Sequence, residues 1–335
     1  MTESKKKDFT IVFACTIANA DARDRIQKLG NLIEAPDADC PEKIIEAAKD
    51  AQVLIVPYTA HELITRDVID ALPQLQLVGS TYGGVRQNID DLYALEKSLC
   101  VIHTGPTRIR PMAEYTLGLA LSSLTQISNY NHYMKSGEAW PRMKFGRTRI
   151  LHNRKVGVIG YGWIGQGIAD LLGQFTDQVQ IYSSHASAGD LKEQGFKKAE
   201  SLTSLFRECE VIVLAGGYTP GTHHMIRGEH FEAMADEALF INIARGKMVN
   251  QSEMIAALEK QNIFLALDVF EEEPLEADSP LRSNDRCLIA PHRANAPIEF
   301  EERWTFLADE LERFDRGEKL LTALSTTRAK HMSES

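Results

Sequence analysis

His292 stands directly behind Pro291 in the run CLIAPH, where a strand candidate ends and the proline fixes the direction of the next residue. An imidazole titrates near neutrality, so a ring in such a place can both donate and accept a proton. It acts in a single tautomer only when a partner holds its far nitrogen. The acidic run Glu271, Glu272 and Glu273, one strand earlier, supplies candidates. A carboxylate there also favours the charged ring, which helps it serve as an acid. Arg245, at the end of another strand candidate, adds a permanently charged guanidinium. That group forks onto a carboxylate in two parallel bonds, the geometry for holding a 2-oxo or 2-hydroxy acid. Of the remaining histidines, His61, His132, His152, His230 and His331 read as surface or capping residues. His223 and His224, after a TPGT turn, either touch the cofactor or form a solvated pair, the second reading being favoured.

These side chains need a frame, and the stretch KVGVIGYGWIGQGIAD, Lys155 to Asp170, is its centre. A short apolar strand runs into Gly160, Gly162 and Gly165, the G-x-G-x-x-G spacing of a dinucleotide loop. The first glycine turns the chain, the second admits a pyrophosphate, and the third lets the helix lie on the strand. Free amides at the helix start would take the phosphate charge. Strands are expected at Val156 to Ile159, Val179 to Tyr182, Val211 to Leu214, Ala238 to Ala244, Phe264 to Leu267 and Cys287 to Ala290. Each is followed by polar or glycine-bearing residues, at the edge where open α/β sheets bind ligands.

Upstream, strands at Thr10 to Ala14, Val53 to Pro57, Leu77 to Ser80 and Cys100 to His103 alternate with helices near Ala22 to Leu29, Pro41 to Ala48 and Leu63 to Ala71. Such alternation predicts a second parallel sheet with helices on both faces. The run STYGG after one of these strands makes Tyr82, Gly83 and Gly84 an anion cradle or a plain glycine turn. One long apolar helix is expected over Pro111 to Met134, connecting the two halves. A last helix is expected over Ile298 to Phe314, then a mobile polar tail, TTRAKHMSES.

The chain of 335 residues has room for two cores. A net charge of −10 argues against a nucleic-acid or anionic-membrane binder. No apolar run approaches the ~20 residues of a membrane span, and the start MTESKKKDF lacks a signal-peptide core, so a cytoplasmic location is expected. The five cysteines are scattered and indicate neither a zinc site nor a disulfide frame.

The motifs VGVIGYGWIGQGIA, FINIARGKMVNQSEMIAAL, LALDVFEEEPL, APH and AEYTLGLAL together resemble the D-isomer-specific 2-hydroxyacid dehydrogenase family, over about Leu77 to Arg303. The resemblance implies a Rossmann-type doubly wound parallel sheet at 106–294, with 111–134 a connecting helix. It also implies a smaller flavodoxin-like α/β substrate domain built from both chain ends, 1–105 and 295–335, and a homodimer. Arg245 then matches the arginine that holds the substrate carboxylate and carbonyl. Glu273 matches the acid paired with the histidine, whereas Glu271 and Glu272 do not, and His292 matches the acid/base. Tyr82, Gly83 and Gly84 match the loop that grips the carboxylate. NAD(P) would lie on Gly160, Gly162, Trp163, Ile164, Gly165, Ser183, Ser184, His185, Ala244 and Asp268.

The sequence departs from the family pattern in three respects. Ser183 stands where an NAD-selective member carries an acid for the ribose, and Ser183, Ser184 and His185 can hydrogen-bond a 2′-phosphate, which favours NADP, although that turn holds no arginine. Arg293 comes after the histidine, where an apolar residue is usual, and Arg108 replaces an asparagine near the nicotinamide. The expected activity is hydride transfer between NAD(P)(H) and a small 2-oxo or 2-hydroxy acid. The alternative is an NAD(H)-sensing, corepressor-like binding protein on the same fold. A formate dehydrogenase is disfavoured because that branch places glutamine where Glu273 stands. No appended regulatory domain is expected.

Overall fold

The computed structural model describes residues 9–294 and 298–329. It divides into two units, Met1–Arg108 with Ala296–Ser335, and Ile109–Asn295. The basic run Lys5 to Lys7 and His331 lie outside the described residues.

The first unit is a five-stranded parallel sheet of β1 (Phe9–Phe13), β2 (Gly30–Glu34), β3 (Val53–Val56), β4 (Leu77–Ser80) and β5 (Cys100–His103), in the order β2-β1-β3-β4-β5. Its inner strands are buried on both faces, so successive residues enter opposite cores, as a period of two requires. Val12, Leu54, Val78 and Val101 fill one core. Ile11, Ile55, Leu77 and Ile102 fill the other, with Trp304, Leu307 and Leu311 from the helix Ile298–Asp315. The start of the expected mobile tail is folded here. Thr326–Ala329 forms a helical turn, and the buried Ala329 offers its carbonyl to the Arg86 guanidinium, which also pairs with Asp91.

The second unit carries a seven-stranded parallel sheet of β6 (Val156–Ile159), β7 (Val179–Tyr182), β8 (Lys197–Lys198), β9 (Val211–Leu214), β10 (Leu239–Asn242), β11 (Phe264–Leu267) and β12 (Cys287–Ile289). The order is β12-β11-β10-β9-β6-β7-β8, so the direction of winding reverses at β6, the switch point of a Rossmann-type sheet. The expected single helix over 111–134 is two, Ile109–Thr125 and Ile127–Lys135. Gln126 breaks it in the left-handed region at φ 60. Its amide side chain seals the break, donating to the Ser123 carbonyl at 2.7 Å and accepting from Asn129 at 2.7 Å. The first of these helices lays Met112, Leu119, Ala120 and Leu124 into the core under the sheet. Among the described residues, no helix is long and apolar enough to cross a membrane.

Candidate active site

β12 delivers His292 at its carboxyl end. The backbone there is left-handed, φ 53, and its N–H donates to the Asp268 carbonyl at 2.8 Å. Ring Nδ1 lies 2.8 Å from Glu273 Oε2, and Glu273 Oε1 accepts the Phe270 amide at 3.0 Å. A carboxylate can only accept, so Nδ1 carries the proton and Nε2 is the ring nitrogen that Glu273 leaves open. Of the three acids in the run, Glu273 is the one that meets His292. A cleft of about 370 Å³, walled by Phe270, Leu275, Ile289 and Pro291, opens on the pair.

Asp268, expected to touch the cofactor, anchors the histidine turn. Fully buried, it accepts the Arg293 amide at 2.8 Å and the Tyr115 hydroxyl at 3.0 Å on Oδ1, and the Ala294 amide at 2.9 Å on Oδ2. Burial, and then the neighbouring Asp268 charge, hold the Tyr115 phenol protonated well above the usual tyrosine range. Tyr115→Phe removes one buried hydrogen bond to a charged acceptor and should cost about 1–3 kcal/mol of stability. The check is a lower urea midpoint at unchanged slope; a midpoint equal to wild type counts against the anchor.

Arg245 comes after β10, with the strand ending at Asn242, two residues before the expected Ala244. The Asn242 carboxamide closes the turn, accepting from the Ala244 amide at 3.0 Å and donating to the Arg245 carbonyl at 3.4 Å. Arg245 is half-buried and its Nη1 donates to the Ala244 carbonyl at 2.8 Å. Gly246 is required here: a Cβ would sit 1.8 Å from the carbonyl of Phe270. The sequence reading missed a second histidine–carboxylate pair in this region. His224, read as solvated, has Nε2 2.5 Å from Glu271 Oε1, and both side chains are about a quarter exposed.

The glycine loop between β6 and the following helix makes a tight turn. Gly160 adopts φ 94, and a Cβ there would lie 2.5 Å from Gly216 Cα, in the crevice where the sheet reverses. A Cβ on Gly165 would lie 2.1 Å from the Gly160 carbonyl, which is why the helix Trp163–Leu172 can start so close to the strand. At Gly162, the N-cap, nothing lies within 4 Å of a Cβ position, leaving an open cradle over the helix amides. A dinucleotide pyrophosphate fits such a cradle. Ile164 turns back onto the core. After β7, Ser183 Oγ accepts the amides of His185 at 3.2 Å and Ala186 at 3.4 Å, and Ser184 and His185 are exposed. A cation does reach this turn, from outside its sequence: Lys198 Nζ on β8 donates to the Ala186 carbonyl at 2.7 Å. The two-residue strand that carries it gave no sequence signal.

In the first unit, Tyr82, Gly83 and Gly84 come after β4. The Arg108 guanidinium lies 4.7 Å over the Tyr82 ring, and the Tyr58 ring packs on its side. A Cβ on Gly83 would lie 3.1 Å from Arg108 Cδ and 3.2 Å from Gly105 Cα, whereas Gly84 has open space. The described cysteines are all free, and burial pushes the thiols of Cys15, Cys209 and Cys287 up to about 12. Among the described residues no cluster of His, Cys, Asp and Glu could hold a metal ion.

Comparison with known proteins adds the family. The model described as "D-isomer specific 2-hydroxyacid dehydrogenase, NAD binding domain" matches residues 117–294. A D-3-phosphoglycerate dehydrogenase of Methanocaldococcus jannaschii is 31% identical over 300 residues, 89% of this chain; the chain spans 56% of that protein's length. A glyoxylate reductase of Korarchaeum cryptofilum is 31% identical over 85% of both chains. The solved structure of Rhodotorula graminis D-mandelate dehydrogenase superposes with a TM-score of 0.82 at 21% identity, covering 95% of this chain and 98% of that one, a likeness of fold. With matching motifs, sheet order and sequence, the chain belongs to the D-isomer specific 2-hydroxyacid dehydrogenase family.

Proposed function

We propose that the chain is an NAD(P)-dependent reductase of a small 2-oxo acid, forming the D-2-hydroxy acid and running in reverse as a dehydrogenase. The observation that carries this reading is the Glu273–His292 pair at 2.8 Å, on the same sheet edge as the cradle at Gly162. NAD(P)H, when bound, supplies a hydride to C2 of the oxo acid. Arg245 holds the carboxylate and polarises the C2 carbonyl. His292 Nε2 gives its proton to the carbonyl oxygen as the alcohol forms, and takes it back in the oxidation. Glu273 keeps the ring oriented and stabilises the charged form before transfer.

For the cofactor we favour NADP. The turn after β7 offers Ser183, Ser184 and His185 with no acid to repel a 2′-phosphate, and Lys198 adds a cation to that turn. Exposed Ile127, Met134, Trp140 and Met143 support a homodimer, as the family resemblance implies.

The test is a panel of 2-oxo acids assayed separately with NADH and NADPH. Turnover with either supports an enzyme; cofactor binding with no turnover of any acid would leave a cofactor-sensing protein. Within that panel, Arg245→Gln removes a charged, forked contact and should raise KM by about 10–10²-fold. An unchanged KM would overturn the role of Arg245.

A further inference from the structure

Beyond the pair that moves the proton, the second unit holds a second histidine–carboxylate pair that touches no reacting group assigned above. We propose that His224 and Glu271 are positioning residues for Arg245, an inference that rests on the reading of Arg245 as the carboxylate-holding group. The turn that carries Arg245, residues 245–250, is gripped from two sides. On one side the segment after β9 runs beside it: the His224 amide donates to the Lys247 carbonyl at 3.0 Å, the Ile226 amide to the Met248 carbonyl at 3.0 Å, and the Asn250 amide to the Ile226 carbonyl at 2.9 Å. On the other side the Phe270–Glu271 peptide lies flush against Gly246, with no room for a single added carbon.

Glu271 joins the two sides. Its Oε1 takes the 2.5 Å bond from His224 Nε2, and its Oε2 accepts the Gln251 amide at 2.9 Å, where the helix Gln251–Lys260 begins. The Gln251 side chain returns a bond, accepting the Glu271 amide at 3.2 Å. The ring of bonds is therefore closed around Gly246, the residue next to Arg245. His224 sits at φ 47, a conformation few side chains adopt, and its ring is stacked 3.9 Å from His223; that backbone orients the ring onto Glu271. The same short segment carries Glu273, whose Oε1 is fixed by the Phe270 amide. Glu273 is thus held by its own bond, so opening the ring around Gly246 should shift the guanidinium and leave His292 aimed. A guanidinium displaced by about 1 Å loses part of its hold on the oxo acid.

The experiment uses the full chain with His224→Ala, which opens the ring, and His224→Gln, whose amide can donate to Glu271 again. In His224→Ala, KM for the oxo acid should rise about tenfold. Both kcat and the dissociation constant for NAD(P)H should stay within about threefold. His224→Gln should restore most of the KM. Amide hydrogen exchange at Met248 to Gln251 should speed up in the alanine variant and return toward wild type in the glutamine variant. Equal losses in KM and kcat, a rise confined to the cofactor constant, or exchange rates unchanged from wild type would each overturn the proposal. Should wild type reduce none of the acids tested, the functional reading falls, and the exchange measurement still decides whether the pair holds the turn.

Discussion

His292→Asn is expected to lower kcat by about 10²–10⁴-fold, the usual contribution of a positioned acid/base. NAD(P)H binding should be unaffected. Asparagine is chosen because it tolerates the left-handed backbone that position 292 adopts at φ 53, so the amide can still reach the Asp268 carbonyl. Its side chain lacks a nitrogen that can gain and lose a proton at neutral pH. Glu273→Gln keeps the shape and loses the charge that stabilises the imidazolium, so its deficit should be smaller. Because Glu273 acts only through the ring it holds, the double variant should be no slower than His292→Asn alone. The measurement is kcat for the single and double variants beside a fluorescence titration of the cofactor. A His292→Asn enzyme retaining more than about a tenth of wild-type kcat would remove the histidine from the reaction.

How far the site was legible in the sequence depended on the range of the signals involved. The strands that lead into Gly160, Arg245, Asp268 and His292 are apolar runs of three or four residues, and such runs stand out between polar loops. Two strands left no trace. β2, GNLIE, is a glycine-led edge strand that is only half-buried, and β8 is two lysines, whose composition argues for a loop. Missing β8 also hid Lys198, the cation at the turn after β7. The break at Gln126 was illegible for another reason: neither glycine nor proline marks it, and the turn is held by side-chain bonds to Ser123 and Asn129 that only the folded helix brings together. The same holds for His224. Its partner is 47 residues away, and a histidine beside another histidine after TPGT reads as solvated until Glu271 is seen at 2.5 Å. Family resemblance could single out Glu273 within EEE, but only packing shows that Glu271 is engaged elsewhere.

Acidification should destabilise the first unit through His103, a residue that takes no part in the proposed chemistry. Its ring is 3% exposed; Nδ1 accepts the Gly105 amide at 3.0 Å, and Nε2 has no hydrogen-bond partner among the described residues. Burial, and then the charge of Arg328, push its pKa down from 6.5 to about 4. Comparing the folded and unfolded states gives the sign. Above pH 6.5 the ring is neutral in both, and its contribution to stability is fully present. As the pH falls from 6.5 towards 4 the unfolded chain takes up a proton that the folded chain refuses, so stability is lost across that window and levels off below it. With the 1.36 kcal/mol that accompanies each unit, the loss amounts to about 3 kcal/mol, a large part of the stability of an ordinary domain. His103→Gln should therefore flatten the fall in unfolding free energy between pH 6.5 and 4, whatever its effect at pH 7.5. His230, buried in the second unit and also held below the ordinary range by burial, adds a loss of its own as the pH falls below 6.5, which the variant does not touch. Urea melts of both proteins at half-unit pH intervals provide the comparison. Parallel curves for wild type and His103→Gln would show that the buried ring is not the group whose protonation the fold resists.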